Sequence, residues 1–519
     1  MNKDDKKTQN LPPDSEIRVD FTEPPTPDAV EDKIFELVRY TVDWVTECGD
    51  LSFYEFEKKI INNIFAIGRL FISLFLCMRE SACAIPQEAG YKCQRGKKRN
   101  LGTFFGKVRY WRTYIHRAGC GYYPLDLELG LPNDGFSMLL RSHAAKLATK
   151  MSYAQAVGVL FMFLQWAPCQ KTVEEMVMGL GRHTQDWFKI QPPPQDDGEV
   201  LIIQIDSKGT PTATDEELKK RQGKRKPNPH PGSQRHRRRD ARKKRGSKKR
   251  KKKGDKSKNA KMATIVVMYT LRRAADGSLE GPINKKVYAS YAPKRHAFAI
   301  ARRQADARGF TRQSGKLVQI VMDGDNDLDR YAQEFFPEAV QTIDIFHVTQ
   351  HVWKAGACVY KEGSKEQEEW VECQKEALYE SRASDIVKEL DDRRKLIPKK
   401  GAGNKGRRER LLSVRNYVAK RLDKMDYKFL REQDLEISSG AVEGAVNYVI
   451  AKRFDSGGMR WKKGRAEALL QLRCIEVNSD WDDFISYVHD KTSRQIQETK
   501  HNVFLKATTP DPLPTYGLK

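Results

Sequence analysis

Apolar residues recur at helical spacing from Asp28 to Met78 (Ile34, Leu37, Val38, Val42, Val45), which predicts helices packing in-chain or against a second copy. The most apolar stretch there, Ile64 to Met78, contains Arg69 and is shorter than the roughly 20 residues needed to span a bilayer, so a buried helix is expected. FFGKVRYWRTYI, Phe104 to Ile115, alternates aromatic or β-branched with charged residues and predicts a strand. From Ser137 to His183 the helical period returns. One helix covers Tyr153 to Phe163, and a second opens at Thr172, with Thr172 and Glu175 as a capping box. The pair reads as a helix-turn-helix or as an ordinary helical hairpin. TVEEMVMGL is acidic and apolar where base-reading helices are polar or basic.

QPPPQDDG, Gln191 to Gly198, marks a domain boundary. Beyond it, continuous apolar strands are expected at Val200 to Asp206, Thr264 to Leu271 and Lys285 to Ala292. A helix follows at Lys294 to Arg308, a strand at Leu317 to Met322, a helix at Asp327 to Phe336 and a strand at Val340 to Phe346. Three strands, a helix, then alternating strand and helix imply a mixed sheet with helices on its faces, in the order of an RNase H-like core. Residues 361–432 are charged and helical in pattern, an all-helical insertion broken at KKGAGNKG, after which the sheet domain resumes with the helix following Ser438 and Ser439. The expected fold is therefore an α/β RNase H-like core, a mixed five-stranded sheet with a helical insertion, preceded by a mainly helical N-terminal region for DNA binding or dimerisation. The expected boundaries are a disordered tail at 1–27, the N-terminal region at 28–190, the catalytic domain at 199–360 and 433–490, and a C-terminal tail at 491–519.

Charge sharpens this picture. Between Lys219 and Lys261 stand 23 Lys or Arg against Asp240 and Asp255, a net +21 that leaves about +4 of the chain's +25 for everything else. This local basic run, densest from Arg235 to Lys253, cannot fold alone and suits the backbone of a nucleic acid. Arg237, Arg238, Arg239, Lys243, Lys244, Arg245, Lys249 and Arg250 are its candidate phosphate contacts; a solvated charge loop is the alternative. Nine scattered cysteines do not form a disulfide framework and fit a reducing cytosol. The polar N-terminus reads as neither signal peptide nor membrane anchor, so no membrane partner is expected.

Asp206 ends LIIQI and Asp323 ends LVQIVM, both strands apolar enough to be buried on two faces, where a carboxylate is costly unless it is paired or binds a metal. Adjacent strand ends bring two such aspartates together, and a divalent cation relieves their repulsion. In ISSGAVEGAVNYVIAKRF, Glu443 lies beside the apolar stripe Val442, Ala445, Val446 and Val449 near a helix start, a suitable third ligand. Each residue also has a bland role: aspartates at strand ends start turns, and a glutamate in a first helical turn complements the macrodipole. Periodicity does not choose among Asp323, Asp325 and Asp327.

MDGDNDLDRYAQEFFPEAVQTIDIFHVTQHVWKAG resembles the second-aspartate region of the Kra-type family of bacterial insertion-sequence transposases. ISSGAVEGAVNYVIAKRFDSGGMRWKKGRAEALLQLRCIEVNSDWDDF resembles that family's third-acid region, and VRYWRTYIHRAGCG with YYPLDLELGLP its N-terminal region. The resemblance implies a DDE transposase with Asp206, Asp323 and Glu443 as its acids, two Mg²⁺ or Mn²⁺ ions, and cleavage leaving 3′-hydroxyls that are transferred into target DNA. Its partners would be double-stranded DNA, as terminal inverted repeats and target, and further copies of the chain as a homodimer or higher multimer, in the cytoplasm. Asp344 and His347 match its Asp-x-x-His signature, His347 steering DNA, supporting the metal or sitting as a hydrogen-bonded core histidine, with Phe346 in the core. Arg460 and Trp461, in GGMRW, match a further signature, set to pair a phosphate and stack on a base, or simply packed. The family's paired cysteines are reduced here to Cys83, Cys93, His116 and Cys120, whose spacing is poor for zinc. An RNase H-like nuclease that does not join strands, and an inactive nucleic-acid binder, are the rival readings.

Overall fold

The computed structural model describes residues 20–83, 92–117, 120–214, 216, 260–455 and 459–501. The basic residues Arg237 to Arg250 lie outside them, as do most of both expected tails. The chain divides into two compact units, Met1–His183 with Ser479–Pro514, and Thr184–Asn478 with Thr515–Lys519.

The first unit opens with helices α1 (Pro27–Glu47) and α2 (Phe53–Ala82), packed through Val30, Ile34 and Leu37 against Ala66 and Leu70. Ser52 and Glu55 form the capping box that starts α2. The expected buried helix at Ile64 to Met78 is in fact part of a 30-residue helix, long and apolar enough by length and composition to cross a membrane. Its inner face is covered but Ile64, Phe71, Phe75 and Met78 stay more than half exposed, because α1 and the strands below reach only part of its circumference. Strands β1 (Lys92–Thr103), β2 (Gly106–Arg117) and β3 (Cys120–Tyr122) form an antiparallel sheet in an otherwise helical region. Phe104 and Phe105, expected inside a strand, make the turn between β1 and β2, with Gly106 at φ +124°.

Helices α3 (Pro124–Glu128), α4 (Met138–Lys150), α5 (Tyr153–Leu164) and α6 (Gln170–Gly181) follow. Helix α6 begins at Gln170 with Cys169 as its N-cap, so Thr172 is not the cap the sequence predicts. Val173, Met176, Val177 and Leu180 are buried, which makes α6 a packing helix. Residues 479–490, expected with the catalytic domain, lie in the first unit, where the Trp481 Nε1–H donates to Ser142 Oγ at 2.9 Å.

The second unit starts with α7 (Thr184–Lys189), ahead of the expected boundary after residue 190, with Trp187 and Phe188 buried there. QPPPQDDG is fastened rather than loose: Asp197 pairs with Arg308 at 2.7 Å, and the Gly198 N–H donates to Thr270. The expected mixed five-stranded sheet is present, with strands β4 (Val200–Pro211), β5 (Ala260–Arg273), β6 (Leu279–Ser290), β7 (Val318–Met322) and β8 (Val340–Ile343) in the order β6-β5-β4-β7-β8. Strands β6, β5 and β4 are antiparallel, and β7 and β8 continue parallel to β4. Helices α8 (Lys294–Ala307), α9 (Asn326–Phe335) and α10 (Ile345–Val359) accompany it. Residues 361–432 are helical, as their pattern predicts: α11 (Lys365–Tyr379), α12 (Ala383–Leu396), α13 (Asn404–Ala419) and α14 (Tyr427–Glu432). After them comes α15 (Gly440–Ala445), which runs on into a π-helical segment, Val446–Ala451.

Candidate active site

Register builds the site. The last parallel pair between β4 and β7 is Ile205↔Met322, and the last between β7 and β8 is Met322↔Ile343. Asp206, Asp323 and Asp344 are each the next residue, so three neighbouring strands present a carboxylate at the same level of the sheet. Strand β4 itself continues to Pro211 through its pairing with β5, so Asp206 sits at a point where only one of its two neighbouring strands persists.

Two glutamines anchor the third element. Gln204 and Gln319, both buried in apolar strands, clamp the segment from Glu436 to Val442 over the strand ends. Gln204 Oε1 accepts the Val442 N–H at 3.0 Å while its amide donates to the Ser438 carbonyl at 3.3 Å and to the Tyr269 hydroxyl. Gln319 donates to the Glu436 carbonyl at 2.7 Å and accepts the Glu436 N–H at 3.0 Å. Buried amides with both ends satisfied fix backbone position without adding charge. The signal was present as a single polar residue inside LIIQI and another inside LVQIV. Helix α15, anchored by buried Val442 and Ala445, carries Glu443 in its first turn. A π segment directly after such a position is frequent at functional sites.

Asp344 is fully buried and bonded at both oxygens: Oδ1 accepts the Phe346 N–H at 2.8 Å, and Oδ2 accepts from the His347 ring at 2.9 Å and from Ser439 Oγ. Burial pushes its carboxyl up, but the bonds from His347, Ser439 and the Phe346 N–H more than offset this and hold it below its usual range. The strand expected to run to Phe346 stops at Ile343, where Asp344 becomes the N-cap of α10. Phe346, expected in the core, is consequently 54% exposed, because the helical turn swings it outward. His347 is held charged to higher pH by its bond to Asp344 and by the charges of Asp344, Asp323 and Asp206, against the effect of burial.

Burial pushes Asp206 up, and the charges of Asp323 and Glu443 push it further; the Ser207 N–H and His347 act in the opposite sense. One ligand atom each of Asp344, His347 and Glu443 lies within 4.8 Å of the others, the group among the described residues able to hold a metal ion. Asp206 and Asp323 adjoin that group electrostatically. Four carboxyl groups grouped with one histidine make an oxygen-rich pocket, the chemistry that suits hard divalent cations. Asp344 accepts one bond at Oδ1 and two at Oδ2, so Oδ1 is the less committed of its oxygens.

The neighbours of Asp323 have other employment. Asp325 caps α9 by accepting the Asp327 and Leu328 N–H groups and pairs with Lys294 at 2.9 Å. Asp327 is exposed and pairs with Arg330. The Asp323 backbone is gripped by the helical insertion: the Tyr417 hydroxyl donates to its carbonyl at 2.9 Å, and buried Arg421 donates to the Gly324 carbonyl. His351 stacks on Tyr417 at 4.1 Å and is pushed down to about 4 by burial and by Lys354, His347 and Arg421. The sequence pattern gave no hint that the insertion braces the site.

Trp461 is 7% exposed, lying 5.0 Å from the Phe454 ring and under the Arg453 guanidinium at 4.8 Å, so it is packed and offers no face to a base. Arg460 is exposed. Cys83, Cys93 and His116 form no metal-binding group among the described residues, and the side chain of Cys120 lies outside them.

A family model of DDE transposases of the ISL3 type, described as transposase, matches residues 287–402, from the end of β6 through Asp323, Asp344 and His347 into the insertion. No curated protein matches the chain. The match covers the second-aspartate region already singled out, and with it the function is that of a DDE transposase, an insertion-sequence enzyme that binds DNA and uses divalent metal.

Proposed function

We propose that the chain cleaves DNA at the ends of an insertion sequence and transfers the freed 3′-hydroxyls into target DNA, with Asp206, Asp323 and Glu443 holding two Mg²⁺ or Mn²⁺ ions on an RNase H-like core. The observation that carries this reading is the register Ile205↔Met322, which sets two aspartates side by side, together with the electrostatic coupling of Asp206 to Asp323 and Glu443. When bound, paired divalent ions supply charge stabilisation for the attacking and leaving oxygens of an in-line displacement. The chain's own contribution is orientation. Gln204 and Gln319 fix the segment bearing Glu443, and Asp344 holds His347 through Nδ1, which leaves Nε2 for a phosphate oxygen or a ligand of the metal. The finer Kra-type assignment rests on the three sequence blocks quoted above.

Asp323→Asn and Asp325→Asn, compared in a Mn²⁺-dependent cleavage assay, test the reading. Loss of cleavage in the first with retention in the second is expected; the reverse overturns the assignment. Joining of a pre-cleaved end into plasmid DNA separates a transposase from a nuclease sharing its acids, and loss of nicking on chelation excludes an inactive binder.

The enzyme acts in the cytoplasm as a homodimer or higher multimer, and the outer face of the α1–α2 hairpin suits a second copy. Phe35, Val38, Val42 and Val45 repeat at 3-4-3 spacing on α1, and Ile61, Ile64, Phe71, Phe75 and Met78 line α2; these nine are 40% to 70% exposed. In an antiparallel hairpin both stripes, displaced in the same sense from the packed faces, fall on one side. At roughly 100 Å² each they reach the about 800 Å² per partner of a stable interface.

A further inference from the structure

The first unit contains a second concentration of charge, separate from the run at Lys219 to Lys261. Between Lys92 and Arg117 the chain has nine Lys or Arg and no acid. That segment is the β1–β2 ribbon. Two of its cations are neutralised from below: Arg99 and Arg112 both pair with Asp126, which also accepts from the Tyr110 hydroxyl at 2.7 Å, and Arg112 lies over the Tyr123 ring at 3.4 Å. Lys92, Arg95, Lys97, Lys98 and Lys107 are exposed and pair with no carboxylate among the described residues. In the insertion, by contrast, Lys365, Lys375, Lys388, Lys395 and Lys405 each have an acidic neighbour three or four residues away.

The ribbon interleaves its cations with rings. Residues directly opposite in an antiparallel pair share a face, and the register matches Lys98 with Trp111, Gln94 with Tyr114, and Lys92 with His116. Tyr114 and His116 stack at 5.1 Å, and all three rings are half-buried. A β-bulge between Gln94 and Lys97, with Gly96 at φ +71°, bends the strand at its most basic point.

We propose that the β1–β2 ribbon is a duplex-DNA-binding element, seated in a groove with Lys92, Arg95, Lys97, Lys98 and Lys107 against flanking phosphates. A two-stranded ribbon matches the roughly 12 Å width of the B-DNA major groove, and unpaired cations flanked by polar and aromatic side chains suit its walls and edges. Lysines on an edge strand also guard against sheet-to-sheet pairing. That role does not account for Lys107 on the central strand β2, nor for the rings placed beside the cations. The inference rests on the reading that the chain acts on DNA.

The test uses the full chain and measures affinity for a fluorescent 30-base-pair duplex across a NaCl series. Each phosphate contact contributes about 0.9 to the log–log salt slope, so Lys92→Gln/Arg95→Gln/Lys97→Gln/Lys98→Gln is expected to lower the slope by about 3.6 and weaken binding at least about tenfold at 0.15 M. A matched variant, Lys365→Gln/Lys375→Gln/Lys395→Gln/Lys405→Gln, removes the same charge from the insertion and is expected to lower the slope by less than about 1. Circular dichroism checks that both fold. Equal slopes for the two variants overturn the ribbon while leaving the transposase reading standing; wild-type protein that neither binds nor cleaves duplex overturns both.

Discussion

Gln204 Oε1 accepts the backbone N–H of Val442 at 3.0 Å across 238 residues of sequence, and through this bond the central strand of the sheet holds the helix that bears Glu443. The same amide donates to Ser438 and Tyr269, so one buried side chain satisfies groups from three elements. The proposed metal site is thus positioned from beneath by neutral hydrogen bonds.

Replacing Gln204 with Leu keeps the volume but strands the Val442 N–H and takes a donor from the Ser438 carbonyl, while the Tyr269 hydroxyl keeps its bond to Glu436. An unsatisfied buried polar group costs about 1–3 kcal/mol, so a loss of a few kcal/mol is expected in urea unfolding, with Mn²⁺ affinity falling about 10-fold or more. Gln204→Glu keeps the acceptor for Val442 and is expected to retain more of the Mn²⁺ affinity. Equal affinity in all three proteins would show that Val442 needs no anchor.

Asp344 is expected to act by positioning His347 and Ser439. Asp344→Asn keeps the N-cap of α10 but weakens its hold on His347 and Ser439, and supporting carboxylates of this kind typically contribute 10- to 100-fold in metal affinity or activity. Calorimetric Mn²⁺ titration is expected to show that loss with the stoichiometry unchanged. A drop in stoichiometry would instead make Asp344 a ligand.

Tyr417 connects the insertion to the second aspartate. Tyr417→Phe removes the donor to the Asp323 carbonyl and leaves the ring stacked on His351. A stability loss near 1 kcal/mol is expected, with a larger proportional fall in cleavage rate than in DNA affinity. If rate and affinity fall together, the insertion is bracing the fold and not the site.

The α1–α2 face carries the oligomer if the multimer reading holds. Phe71→Glu/Phe75→Glu places two charges on an already exposed surface, so the fold should survive while sedimentation shifts toward monomer. Unchanged sedimentation, or a wild-type chain that partitions onto lipid vesicles, would give that face a different occupant.

Glu467 supplies a pH dependence of stability. It is buried on Lys463–Val477, bonded to Ser290, Tyr291 and Gln471, and burial pushes its carboxyl up from 4.5 to about 7 despite those bonds. The folded state therefore binds a proton that the unfolded chain releases above about 4.5, so this group's contribution is fully present below pH 4.5 and is lost progressively as pH rises to about 7. The full swing is on the order of 3 kcal/mol. Glu467→Gln should flatten the fall in Tm between pH 5 and 8 that wild type shows; parallel Tm curves for the two proteins would rule out Glu467 as its source.

Hydrophobic periodicity was enough to locate most of the catalytic unit. Apolar runs gave β4, β5, β6, β7 and β8 within a few residues, since strands buried on both faces have few polar positions to blur them. The same runs flagged Asp206 and Asp323, because a carboxylate directly after such a strand has few inexpensive environments. Periodicity failed where the decision lay with partners distant in sequence. It could not tell that β8 ends at Ile343, which puts Phe346 outside and makes Asp344 a cap, because that depends on the Asp344 N–H reaching the Met322 carbonyl. It could not show that α2 lacks a cover on one side, nor that Trp461 is packed, since burial is a property of the assembled neighbours. The residue types and their local order fixed the strands and the candidate acids. Register, through Ile205↔Met322 and Met322↔Ile343, and the long-range bonds of Gln204, Gln319 and Tyr417, decided which acids share one pocket, because only closure of the sheet brings hydrogen-bonding groups more than 90 residues apart within 3 Å.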